Sequence, residues 1–126
     1  MVFEHFAVNV SDIASVVEWY VSNLGLKARI SEKDPPYVTF LEDSGGRVVI
    51  EFYQRVDAPA IDYSAVNPLS FHVAFVSAEA EQDKNRLVGS GATFEVEVKL
   101  EDGTHIVMLR DPWGMPLQLC QRANPF

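Results

Sequence analysis

One cysteine, Cys120, stands in 126 residues. It excludes an internal disulfide framework and a cysteine-rich zinc site, and it agrees with a reducing compartment, the cytoplasm. No uninterrupted apolar run reaches the roughly 18 residues a membrane-spanning helix needs. The opening MVFEHFAVNVSD has neither the basic start nor the apolar stretch of a secretory signal. Basic residues are few, 10 Lys and Arg against 18 Asp and Glu, for a net charge of −8. They are also scattered, so neither nucleic acid nor an anionic membrane is an expected partner. What remains is 48% hydrophobic in a chain of one-domain length, enough for a buried core.

Patterning divides that core material into two similar runs. Val2 to Val10 alternates as a strand, with Phe6, Val8 and Val10 on one face and His5, Ala7 and Asn9 on the other. Ser11 or Asp12 can cap a helix carrying Ile13, Val16, Val17, Tyr20 and Leu24 at helical spacing, and Gly25 suits a left-handed end. Strands follow at Leu26–Ile30, Tyr37–Leu41 and Arg47–Tyr53, with Asp43 to Gly46 as a turn. Residues 55–68 hold Pro59 and Pro68 without a period and read as a linker. The order then recurs. Strand Leu69–Val76 leads, through Ser77 as a cap, into helix Ala78–Ser90, whose stripe is Ala80, Leu87 and Val88, with Gly91 ending it. Strands Ala92–Leu100, Thr104–Arg110 and Met115–Gln121 close the chain, joined by a two-residue Asp102-Gly103 hairpin and an Asp111-Pro-Trp-Gly114 turn. The expected organisation is one domain over 1–126: module one at 1–54, the linker, and module two at 69–126.

The halves match by position as well as by type. LGL at 24–26 falls where SGA falls at 90–92, and LEDSGG at 41–46 where LRDPWG falls at 109–114. His5 and His72 lie 67 residues apart (72 − 5), as do Glu51 and Gln118 (118 − 51). Equal spacing between two pairs of metal-capable side chains is the most specific feature of the sequence. Each also has an ordinary reading. His5 is a surface histidine, His72 a hydrogen-bonded histidine of an apolar strand, and Gln118 a polar lining residue. Glu51 interrupts Val48-Val49-Ile50, where a carboxylate must be wet, paired or metal-bound.

The segments FEHFAVNVSDIASVVEWYVSNLGL, SFHVAFV and LRDPWGMPLQLCQR, in that order and spacing, resemble the vicinal oxygen chelate superfamily. That superfamily includes glyoxalases, bleomycin resistance proteins and extradiol dioxygenases. The resemblance covers nearly the whole chain. It implies an α+β fold in which two tandem β-α-β-β-β modules form a cupped eight-stranded mixed sheet with the helices outside. It also implies a divalent metal, Zn, Ni, Mn or Fe, held at His5, Glu51, His72 and Gln118. The donor set of imidazole nitrogen, carboxylate oxygen and amide oxygen suits any of these ions. The activity implied is that of a glyoxalase-like, metal-dependent lyase or isomerase on a small oxygenated substrate. The alternatives are a metal-free binding protein of the bleomycin-resistance type and an extradiol-type dioxygenase. A homodimer is the expected assembly, with modules pairing within or between chains.

Two departures from the family pattern shape the expected chemistry. The usual glutamate of the eighth strand is Gln118 here. An amide cannot accept a proton at neutral pH, so Glu51 is left as the candidate base, with Gln118 a weak ligand or substrate partner. The arginine that binds glutathione in glyoxalase I falls four residues after the first ligand, where this chain has Asn9. Genuine glutathione-dependent activity is therefore not expected unless Arg55 or Arg110 substitutes. Of the other chemistry-bearing residues, His105 is expected to be exposed beside its hairpin. Tyr20 is expected to pack in the core, and Cys120 to share the face of Gln118 with no base beside it.

Overall fold

The computed structural model describes residues 1–126. Eight strands and two helices follow one another as β1 (Phe6–Asn9), α1 (Ile13–Leu24), β2 (Lys27–Ser31), β3 (Thr39–Glu42), β4 (Val48–Tyr53), β5 (Val73–Val76), α2 (Ala80–Gly89), β6 (Thr93–Lys99), β7 (His105–Arg110) and β8 (Pro116–Gln121). Each half folds as β-α-β-β-β into a four-stranded mixed sheet, ordered β1-β4-β3-β2 in the first and β5-β8-β7-β6 in the second. The fold is α+β with two tandem modules, as expected. The chain divides into two compact units, Met1–Ile61 and Asp62–Phe126.

In the first unit α1 starts where Asp12 accepts from the Ser15 N–H and stops at Gly25, whose φ of 69° only glycine adopts without strain. Its buried face, Ile13, Val16, Trp19 and Tyr20, covers Val8, Leu41, Ile50 and Phe52. Tyr20 is wholly buried, edge-on to Phe52 with ring centroids 5.0 Å apart. In the second unit α2 buries Ala80 and Leu87 in a core with Val107, Leu109, Leu117 and Leu119. Val88, expected on that stripe, is instead 43% exposed.

The repeat extends to individual hydrogen bonds. Parallel pairing places Phe6 opposite Ile50 and Ala7 opposite Glu51, then Val73 opposite Leu117 and Ala74 opposite Gln118, every residue moved by 67. Gln54 Oε1 accepts the Ile13 N–H at 3.2 Å to open α1; Gln121 Oε1 accepts the Ala80 N–H at 2.9 Å to open α2, again 67 residues on. Ser77 is not the N-cap of α2. Its hydroxyl accepts from Glu79 N–H outside the helix and donates to Asp83.

The hairpins depart from expectation in one place. The β6–β7 connection is not a two-residue turn. Leu100 N–H donates to Thr104 O and Gly103 N–H to Leu100 O, so a longer loop runs from 100 to 104, with Gly103 at φ 91°. The Asp43–Gly46 and Asp111–Gly114 turns are equivalent. In each, the leading aspartate carboxylate accepts two backbone N–H groups further along the turn. Gly114 is fixed twice over, by φ 89° and because a Cβ there would lie 2.8 Å from Ser64 N.

Candidate metal-ligating residues and an acidic cluster

In the first unit, β4 alternates. Ile50 and Phe52 turn to the helix and are fully buried, which sends Glu51 to the opposite face with its side chain 18% exposed. His5 stands one residue before β1, diagonally across from Glu51 through the Ala7–Glu51 pair. The two side chains meet, with His5 Nε2 3.1 Å from Glu51 Oε2. Phe40, opposite Glu51 on β3, backs the imidazole edge-on at 5.2 Å. The other ring nitrogen, Nδ1, faces the Glu4 carboxylate.

In the second unit His72 again stands one residue before its strand, exposed rather than inside it. Its Nδ1–H donates to the Pro68 carbonyl at 2.7 Å. A carbonyl can only accept, so this bond fixes the tautomer and leaves Nε2 with its lone pair free. Gln118 lies on β8 between Ala74 of β5 and Met108 of β7, and its Oε1 accepts the Cys120 thiol at 3.2 Å. Cys120 is 6% exposed, and burial pushes its thiol up, the opposite of what a nucleophile needs. Cys120 also lines a cavity of about 620 Å³ walled by Ala74, Phe75, Val76, Pro125 and Phe126, with Arg122 as its cation. The four candidate residues thus comprise one direct pair, His5 with Glu51, and their counterparts His72 and Gln118 at the same places in the second sheet.

A further cluster was not anticipated from the sequence. His105 is buried, not exposed, and its Nε2 lies 2.9 Å from Glu97 Oε2. With Glu81 they form a group whose ligand atoms lie within 4.8 Å of one another and could hold a metal ion. Two lysines already occupy it. Lys84 Nζ sits 2.7 Å from Glu81 and 2.9 Å from Glu97, and Lys99 Nζ sits 3.0 Å from Glu81. The Lys84 hydrogen bond, then that of Lys99, hold the Glu81 carboxyl down at about 2. These ammonium groups supply the positive charge an ion would otherwise bring. The signal in the sequence was Glu81 three residues before Lys84 on a helix, facing a strand that alternates Glu95, Glu97 and Lys99.

Two arginines weighed as substitutes for the glutathione contact are committed elsewhere. Arg55 makes a two-point ion pair with Asp57. Arg110 donates to Glu95 and to the carbonyls of Tyr63, Val66 and Gly114. Asn9, at the arginine's place, spends its amide on the Arg55 and Ala58 backbone.

Comparison with known proteins agrees with this architecture. Residues 2–119 match the Glyoxalase/Bleomycin resistance protein/Dioxygenase superfamily. An integron cassette protein from the mobile metagenome of the Halifax Harbour sewage outfall superposes with a TM-score of 0.71 at 20% identity, covering 96% of this chain and 98% of that one. A superfamily member from Sphaerobacter thermophilus gives 0.65 at 15% identity over 95% and 96%. Lactoylglutathione lyase from Agrobacterium tumefaciens gives 0.62 at 20% identity over 94% and 92%. At these identities the likeness is one of fold. No curated protein sequence matches the chain significantly.

Proposed function

The chain belongs to the glyoxalase/bleomycin resistance protein/dioxygenase superfamily, and from that premise we propose a metal-dependent lyase or isomerase for a small oxygenated substrate. The ligands in this reading are His5, Glu51, His72 and Gln118. The observation that carries it is the approach of His5 Nε2 to Glu51 Oε2 at 3.1 Å. Neighbouring ligand atoms around an ion with bonds of about 2.0–2.2 Å are spaced about 3.0–3.4 Å apart, so this pair fits without rearrangement. His72 adds a second imidazole whose Nε2 lone pair is held free by its bond to Pro68. A bound divalent cation would polarise neighbouring oxygens of a chelating substrate.

The residues then divide the work. Gln118 offers an amide oxygen and no base. Glu51 is the one carboxylate among the four, so any proton taken from substrate goes to it. The cavity beside Cys120 is apolar with one arginine, which favours a small, partly apolar, anionic or oxygen-rich molecule. With Asn9, Arg55 and Arg110 all engaged, we exclude glutathione as the preferred substrate group. The protein is read as a cytoplasmic homodimer, and sedimentation at micromolar concentration tests the assembly.

The deciding experiment is elemental analysis of protein purified without chelator or affinity metal, repeated on His5→Ala. About one divalent ion per chain, lost in the variant, supports the reading. No ion in wild type, even after growth in added Zn²⁺, Ni²⁺ or Mn²⁺, favours the metal-free binding protein instead.

A further inference from the structure

We propose that Glu4 is a positioning residue that sets the tautomer and aim of His5, an inference that rests on the metal reading above. An imidazole binds a metal through one nitrogen only, and which one depends on the partner of the other. His5 Nδ1 faces the Glu4 carboxylate while Nε2 faces Glu51. Nδ1–H therefore has a fixed acceptor, and Nε2 is the nitrogen turned to the ligand pair. Glu4 lies outside the β1 ladder, so its side chain is not bound to alternate away from its neighbour. The segment carrying it is tethered on its other side, where the Arg47 guanidinium lies 5.5 Å from the centre of the Phe3 ring.

The second module makes the case independently. His72, the counterpart of His5, also has Nδ1 engaged, by the Pro68 carbonyl. The residue before it is Phe71, which has no acceptor to offer. The two modules thus reach the same ring orientation by different groups, a carboxylate one residue back in one and a carbonyl four residues back in the other. A chance surface contact at Glu4 would have no reason to reproduce the arrangement at His72.

The test compares wild type with Glu4→Ala, Glu4→Gln and His5→Ala. Two readouts are used: Zn²⁺ affinity by chelator competition, and the His5 Nδ1–H proton resonance in Zn²⁺-loaded protein. Expected is a hydrogen-bonded Nδ1–H signal in wild type, kept but shifted in Glu4→Gln, whose amide oxygen still accepts, and lost to exchange in Glu4→Ala. Zn²⁺ affinity should fall by about tenfold or more in Glu4→Ala, the loss usual for a group behind a metal-binding histidine, and largely recover in Glu4→Gln. If wild type binds Zn²⁺ through His5 but Glu4→Ala changes neither readout, Glu4 has no positioning role and the metal reading stands. If wild type binds no Zn²⁺, or His5→Ala binds as well, the metal reading falls and this proposal with it.

Discussion

Arg110 offers the sharpest test of how the fold is held, because the repeat supplies its own control. β2 and β6 each carry an irregularity at an equivalent place, between Ala28 and Ile30 and between Phe94 and Val96. The intervening residues are Arg29 and Glu95. Arg29 pairs with Glu42 at 3.2 Å, and Glu95 pairs with Arg110 at 2.6 Å, so the same cross-strand ion pair occurs twice with its charges exchanged. The surroundings differ. The Arg29 side chain is 64% exposed, and an exposed pair of this kind contributes about 0.5 kcal/mol. The Arg110 side chain is 13% exposed and also donates to Tyr63 O, Gly114 O and Val66 O at 2.9–3.0 Å. Hydrogen bonds to a charged group contribute about 1.5–3 kcal/mol each. Water can reach part of the vacated site and the 63–66 segment can relax, so we expect Arg110→Ala to cost about 3 kcal/mol in all, not the sum. At an m-value of about 1.5 kcal/mol/M, the urea midpoint drops by about 2 M, against about 0.3 M for Arg29→Ala. Arg110→Lys should recover less than half, since an ammonium cannot reach three carbonyls and a carboxylate in one plane. Equal shifts for Arg110→Ala and Arg29→Ala would refute the argument that the carbonyl contacts, rather than the ion pair, make the difference.

The helix openings give a second matched comparison. α1 has the Asp12 carboxylate as well as Gln54 at its start, whereas the N-cap of α2, Glu79, makes no side-chain cap bond. Gln121→Ala should therefore cost about 1 kcal/mol and Gln54→Ala about half that, measured by thermal or urea unfolding. The Glu81 carboxyl, held at about 2 against 4.5 when unfolded, stabilises the fold above the unfolded value and loses that contribution as pH falls through about 2. The midpoint gap between wild type and Glu81→Gln should accordingly be constant from pH 5 to 8 and close between pH 4.5 and 2; a pH-independent gap would show that Lys84 and Lys99 do not set it. Gln118→Glu should tighten Zn²⁺ binding in a chelator competition, because a charged oxygen replaces a neutral one. An unchanged affinity would remove Gln118 from the ligand set.

Much of the fold was legible because its signals are local. Asp12 and Gly25 bracket α1 by chemistry within one turn of its ends, and alternation alone put Glu51 on the face opposite Phe52. The fate of His105 was not local. Whether it is exposed depends on the pairing of Lys99 with His105 and on α2 lying close enough for Lys84 to bridge Glu81 and Glu97. None of that is periodic in sequence. Arg110 is similar, since its carbonyl acceptors at Tyr63 and Val66 come from a stretch read as linker. The helix-opening pair Gln54 and Gln121 was legible in principle. They share the 67-residue offset of the candidate ligands, but glutamine invites no attention until its acceptor role is seen.

The repeat in fact carries two offsets, and their reconciliation decides where Glu51 points. The strand pairs β1–β4 and β5–β8 are related by 67 residues, while the aspartate turns, Asp43 to Gly46 and Asp111 to Gly114, are related by 68. The first module therefore has one more residue between Leu41 and Ile50 than the second has between Leu109 and Leu117. In a sheet, one residue is the difference between two faces. Carried through β4, the extra residue would turn Glu51 toward α1, a buried carboxylate against Tyr20, and bring Phe52 out. The register shift between Leu41 and Glu42 absorbs it: Glu42 pairs with Val48 but Leu41 with Ile50, whereas Arg110 and Leu109 pair with Pro116 and Leu117 without a break. The irregularity lies two pairs from Glu51. It is what keeps a carboxylate beside His5 while letting the two turns differ in length.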